Sequence, residues 1–194
     1  MMVKAALDAY IPRPDVRDRH ETVVRAPADT VLDLARSFDM ESIPLVHAIF
    51  WLRARILRSK RTEAERPRGL NTEALRAMGW GLLEEIPGRL FVAGAVCQPW
   101  LADVTFTPIP AETFASYAEP DRVKIAWTLE AEPLGPALSR FATETRVAAT
   151  DAGARAKFRR YWRFAGFGIV AIRLLLVPRI SRQAERRFRR GAKA

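Results

Sequence analysis

Cysteine and histidine are nearly missing from this 194-residue chain: Cys97 is the single thiol, and His20 and His47 are the two imidazoles. One thiol closes no intramolecular disulfide, and three scattered residues do not supply the four ligands of a structural zinc site. Neither a disulfide framework, a metal nor a cofactor is therefore expected. Long apolar runs are also scarce. Phe164–Val177 is apolar except for Arg173, but it ends at Pro178 and falls short of the roughly 20 residues that a spanning helix needs. A buried or surface-lying helix is expected there, with no integral membrane segment. The N-terminus has no apolar run fit for a secretion signal, and Asp8 interrupts it early, so a cytoplasmic protein is expected. Internal repeats, low-complexity stretches, a phosphate-binding loop and a hydrolase nucleophile elbow are all missing. The letters Gly166-Phe-Gly168-Ile-Val-Ala171 match a dinucleotide fingerprint, but that motif follows a strand and opens a helix, whereas these residues lie inside a basic helical run.

Acidic residues are scarce in one place only. From Asp151 onward the chain has 13 Lys+Arg against 2 Asp+Glu, so the net charge of +10 resides almost wholly in its last quarter. There Arg155, Arg159, Arg163 and Arg173 share one helical face. Phe158, Tyr161, Trp162, Ala165, Ile169, Ile172 and Leu176 share another at three- and four-residue spacing. Gly166, Gly168 and Pro178 predict a kink or break in that helix. Beyond it, Arg179, Arg182, Arg186, Arg187, Arg189 and Arg190 form a polybasic surface suited to nucleic acid or anionic lipid; a solvated helix end is the plainer alternative. If residues 179–194 only decorate the surface, their removal leaves stability unchanged.

With 49% hydrophobic residues, the body is long enough to bury a core as one domain. Residues 1–18, with two prolines and many charges, read as an N-terminal arm, 19–190 as the domain, and 191–194 as the basic tail end. His20–Ala26 predicts a first strand. Pro27 suits the first turn of a helix carrying Val31, Leu32, Leu34, Ala35 and Phe38, and a second helix follows from about Pro44 to Leu57. Residues 59–70 read as a loop, closed by a short helix at 71–78. After Gly79 the pattern turns to strands: 80–86, 89–98, a run near 104–107, then 122–131 and 139–149, separated by Pro-Gly turns. Val123, Ile125, Trp127 and Leu129 alternate with Lys124, Thr128 and Glu130, which predicts one buried and one wet face.

Strand, two helices, a meander of strands and a long C-terminal helix make a helix-grip order. With the local texts HETVVRAPADTVLDLARSFD, FATETRVAATD and ARAKFRRYWRF, residues 18–190 resemble the START-like, or SRPBCC, superfamily, which includes polyketide cyclases. The resemblance implies an α+β fold in which a curved antiparallel sheet grips the C-terminal helix, with a hydrophobic cavity between them. It carries over no catalytic residue.

Such a cavity suits a hydrophobic small molecule or lipid. The candidates for its walls are Trp51, Trp80, Trp100, Trp127, Tyr161 and Trp162, together with Arg53 and Ala95, although aromatic rings also fill cores with no ligand present. Glu144 and Arg146 project to one face of their strand, either as an inward carboxylate–guanidinium pair or as a lateral ion pair. His47 is a candidate acid or base if it faces the cavity. His20 and Cys97 read as structural. Three functions compete: a carrier, a cyclase- or dehydratase-type enzyme using the same cavity, and an interaction protein working through its basic helix.

Overall fold

The computed structural model describes residues 6–38, 48, 51–52, 55–56 and 72–191. Five strands, β1 (Val16–Val24), β2 (Gly81–Ile86), β3 (Leu90–Cys97), β4 (Val123–Gly135) and β5 (Leu138–Ala149), form one antiparallel sheet in the order β1-β5-β4-β3-β2. Helix α1 (Ala28–Ser37) follows β1, α2 (Thr72–Ala77) precedes β2, α3 (Ala111–Phe114) lies between β3 and β4, and α4 (Ala152–Gly191) ends the described chain. An open antiparallel sheet with a helix after its first strand and a long C-terminal helix packed on it is the expected helix-grip architecture.

Strand alternation sorts the side chains into two layers. On the inner face Val24, Phe91, Leu129, Ala131 and Phe141 pack with Val31 and Leu34 of α1 and with Val177, Ile180 and Ala184 of α4. Each large apolar side chain so buried contributes about 1.5–3 kcal/mol. Further along the same face Cys97, Val123 and Val147 meet Phe158 and Tyr161 of α4. The outer face is covered differently. Leu7 and Ile11 of the N-terminal arm and Phe114 of α3 close over Leu83, Val92 and Ala126. Gly94 is required there, since a Cβ at that position would sit 2.5 Å from Leu83 Cδ1 and 2.7 Å from the Phe114 ring.

Several expected boundaries move. β1 begins at Val16, not His20, and so takes in the end of the segment read as an arm. Its charges are tolerated because partners meet them from other strands and from α4. Near 104–107 there is no strand, only the single bridge Val96↔Thr107; Val104 and Phe106 pack into the core from an irregular segment instead. The described positions of the predicted second helix, 48, 51, 52, 55 and 56, are helical, while most of that helix and the 59–70 loop lie outside the described residues.

Of the kink or break expected in α4, the break does not occur: the helix runs uninterrupted over 40 residues. Pro178 lacks the N–H that would bond the Leu174 carbonyl, but Leu174 lies on the exposed side, where water can serve. Gly166 has a packing role: a Cβ there would stand 2.7 Å from the Trp162 ring, which lies across the position. The start of α4 is fixed by Asp151, which accepts from the Ala154 amide at 2.8 Å and from the Asp121 amide. These backbone bonds hold the Asp151 carboxyl below its ordinary range. The tail is no decoration either, since Ile180 and Ala184 are core residues and the Glu185 carboxylate accepts from the Arg25 amide at 3.0 Å.

Candidate functional site

The register of the sheet lays one cross-strand row over its inner face: Asp18 on β1, Thr145 on β5, Trp127 on β4, Ala93 on β3 and Leu82 on β2 are successive partners. One end of the row is polar and the other apolar. Arg173 reaches down from α4 to the polar end. Its Nη1 donates to the Asp18 carbonyl at 2.7 Å and to Asp18 Oδ2 at 2.9 Å, and its Nη2 donates to Thr145 Oγ1. The guanidinium is largely buried; burial pushes its pKa down, and Asp18 opposes that shift. A buried cation of this kind persists only when paired.

His20, two residues along β1, projects to the same face, and its Nε2 lies 3.0 Å from Asp18 Oδ1. A carboxylate only accepts, so Nε2 carries the proton and the ring is held in one orientation. Thr143 pairs with His20 across the strands and is buried. A carboxylate-oriented imidazole, two hydroxyls and a guanidinium thus converge beneath α4.

Aromatic rings supply the apolar end. Trp127 meets Phe91 at a centroid distance of 5.7 Å and Trp80 edge-on at 6.0 Å, while Trp80 stacks on Phe106 at 4.8 Å. Phe106 also packs with the neighbouring cluster, which includes Trp100, Tyr161 and Trp162, and Trp162 lies 5.5 Å from Phe158. Trp80, Trp100, Trp127 and Trp162 are each only partly buried. Ala95 is fully buried on this face, beside Ile125.

The structure brings together Trp80, Ala95, Trp100, Trp127, Tyr161 and Trp162 from the sequence candidates. It separates three others. Trp51 is 60% exposed, with the Arg55 guanidinium 5.9 Å from its ring. Glu144 and Arg146 lie on the outer face, away from α4, in the lateral ion pair that was the alternative reading. Glu144 accepts from Arg146 Nε at 2.6 Å, Arg17 Nε at 2.8 Å and Arg19 Nη1 at 3.2 Å. Arg146 Nη1 in turn donates to Asp8 Oδ1 at 2.6 Å and to the Ile11 carbonyl at 2.9 Å. Burial alone would raise the Glu144 carboxyl, but hydrogen bonds from Arg146 and Arg17 outweigh it and hold the pKa below the ordinary value. His47 and Arg53 lie outside the described residues.

Sequence reasoning missed Asp18, His20, Thr145 and Arg173 as a group. One signal was present: a lone arginine inside an apolar stretch needs a buried partner.

The basic C-terminal residues form a feature of their own. Arg179, Arg182, Arg186, Arg187 and Arg190, with Leu34 and Phe38 of the α1 end, line a cleft of about 700 Å³. Among the described residues none of these five arginines makes an ion pair. Arg189 instead bonds back to the Glu185 carbonyl at 3.3 Å.

No protein-family model matches this sequence, and no curated protein does. Among solved structures the chain is similar to hypothetical protein jhp0584 from Helicobacter pylori, at 12% identity over 95% of this chain and 99% of that one, with a TM-score of 0.45. It is similar also to Mll3558 from Rhizobium loti, at 14% identity over 81% of this chain and 96% of that one, with a TM-score of 0.35. A third, the Zhui aromatase/cyclase from Streptomyces sp. R1128, matches at 13% identity over 89% and 94%, with a TM-score of 0.28.

Proposed function

We propose that this protein binds a hydrophobic small molecule or lipid between the inner face of the sheet and α4, with a polar group of the ligand seated at Asp18, Thr145 and Arg173. One observation carries the reading: a single cross-strand row passes from a largely buried ion pair through a half-buried indole to apolar residues. Partly exposed tryptophans around a fold's interior supply apolar area with an indole donor, which suits a ring or acyl chain. The order of elements, together with the resemblance of residues 18–190, supports a place in the START-like superfamily.

Native mass spectrometry of freshly purified protein tests the reading directly, through a co-purified ligand. Titration with Nile red, a neutral apolar probe, is the complement. Saturable one-to-one binding that changes tryptophan emission is expected, with the change diminished in Trp127→Phe. Ala95→Phe narrows the inner face and should weaken binding, at an overpacking cost of about 1–3 kcal/mol. Failure of chemically varied apolar probes to saturate would sink the carrier reading.

The Asp18–His20 pair favours a second reading, a cyclase- or dehydratase-type enzyme in which His20 moves a proton of the bound molecule. Exchange of the acidic C–H protons of a bound β-diketone with deuterated solvent, lost in His20→Gln while binding persists, would mark it. Exchange that is indifferent to His20 would leave binding alone.

A further inference from the structure

Helix α4 carries a second apolar stripe, opposite the one packed on the sheet. Phe164, Phe167, Ala171, Leu174 and Pro178 recur at three- and four-residue steps and so share one face. Phe164, Phe167 and Leu174 are 51%, 84% and 57% exposed. At 1.5 Å per residue the stripe is about 21 Å long. A contiguous apolar surface of this kind marks a contact.

Charge selects the occupant. Arg160 precedes the stripe on the same face, and Arg182 and Arg189 follow it, all exposed. Among the described residues none of the three forms an ion pair, and the arginine-lined cleft adjoins the C-terminal end. A second copy of the chain fits poorly: antiparallel stripes would set Arg160 against Arg182 or Arg189, and parallel ones would set each arginine against itself. Nucleic acid would meet the arginines but would leave three large apolar side chains against phosphates. An anionic bilayer satisfies both, because the stripe lies at the headgroup–acyl boundary while the flanking arginines reach lipid phosphates.

We infer that the exposed face of α4 is a docking surface for an anionic phospholipid bilayer, with the helix lying parallel to the membrane plane. By length and composition α4 could cross a bilayer, with 24% of its apolar window buried. Its opposite face, however, is fastened to the sheet by Arg173, Val177 and Ile180, so it docks and does not cross. This surface is separate from the inner-face site, and either reading can fail without the other.

The test uses the full chain and phosphatidylcholine vesicles with and without phosphatidylserine. Co-sedimentation is expected with the serine lipid and much less without it. The double substitution Phe167→Ser and Leu174→Ser should weaken partitioning at least about tenfold, with circular dichroism and Tm unchanged because both side chains are exposed. Cys97 is the only cysteine and is buried, so Phe167→Cys offers the accessible thiol for an environment-sensitive dye. The dye's emission should shift to the blue on phosphatidylserine vesicles. Equal binding to both vesicle types, full binding by the double serine variant, or no blue shift would overturn the inference. So would self-association in the ultracentrifuge that the serine substitutions abolish, with no vesicle binding.

Discussion

Arg146→Met should be among the most damaging single changes in this fold. The Arg146 side chain is 3% exposed and holds three partners at once: Glu144 on its own strand, and Asp8 and the Ile11 carbonyl on the N-terminal arm. Methionine keeps much of the volume but removes every donor. Glu144, whose side chain is 1% exposed, then keeps only the more accessible Arg17 and Arg19, and the Ile11 carbonyl loses its partner. Removing one member of a buried pair costs about 3–5 kcal/mol, and the two remaining arginines place this case near the lower end. For a chain of this size, about 3 kcal/mol corresponds to a Tm roughly 6–12 °C lower. Thermal melts followed by circular dichroism at neutral pH would read the shift. The double variant Glu144→Met/Arg146→Met should recover part of it, because no buried charge is left behind. Melting of Arg146→Met within a degree or two of the parent, or a double variant no more stable than Arg146→Met, would refute the reasoning. The pH dependence has a definite sign. The Glu144 carboxyl titrates lower in the folded than in the unfolded chain, so its stabilisation is fully present above the unfolded value near 4.3 and is lost as pH falls through the folded value. The Tm gap between the parent and Glu144→Gln should therefore stay constant at neutral pH and close in acid.

Truncation after Val177 removes Ile180 and Ala184 from the core and the carboxylate that accepts from Arg25; loss of Ile180 alone is worth about 1.5–3 kcal/mol, so a Tm equal to the parent's would contradict the packing described. Gly166→Ala gains about 1 kcal/mol in helix propensity but pushes the Trp162 ring aside; the net effect should be a lower Tm with altered tryptophan emission, and a higher Tm with unaltered emission would show that the ring lies elsewhere. Asp151→Ala should lower Tm at neutral pH by opening the first turn of α4, with the difference shrinking as pH falls through the depressed Asp151 pKa; a difference that grows in acid would reverse the sign.

What the sequence revealed depended on how local the partners are. β4 was legible because Val123, Ile125, Trp127 and Leu129 alternate with polar neighbours, and alternation needs no knowledge of the rest of the chain. β1 was read four residues short, because Arg17, Asp18 and Arg19 look unlike strand residues until their partners, Glu144, Glu130 and Arg173, arrive from more than 100 positions away. The site divides in the same way. Its indoles stood out by residue type, whereas Asp18, His20 and Thr145 are unremarkable until register sets them in rows. Glu144 and Arg146 were visible as a pair, but the choice of face belongs to the N-terminal arm, which covers the outer side and supplies Asp8.

The polar end of the site sits on β1 for a reason rooted in topology. β1 is an edge strand with one sheet partner, β5. Charges on an edge strand are reached by solvent and by neighbouring elements and discourage pairing with another chain. The same edge is where α4 crosses, so a single arginine from the helix can neutralise Asp18 without leaving the core. β3, at the apolar side of the sheet, has neighbours on both edges, and seven of its residues, Phe91–Cys97, are buried. A ligand with a polar head and an apolar body would therefore lie along the row, head to the β1 edge and body toward β3. Under the proposed binding function, that orientation follows from which strand is at the edge.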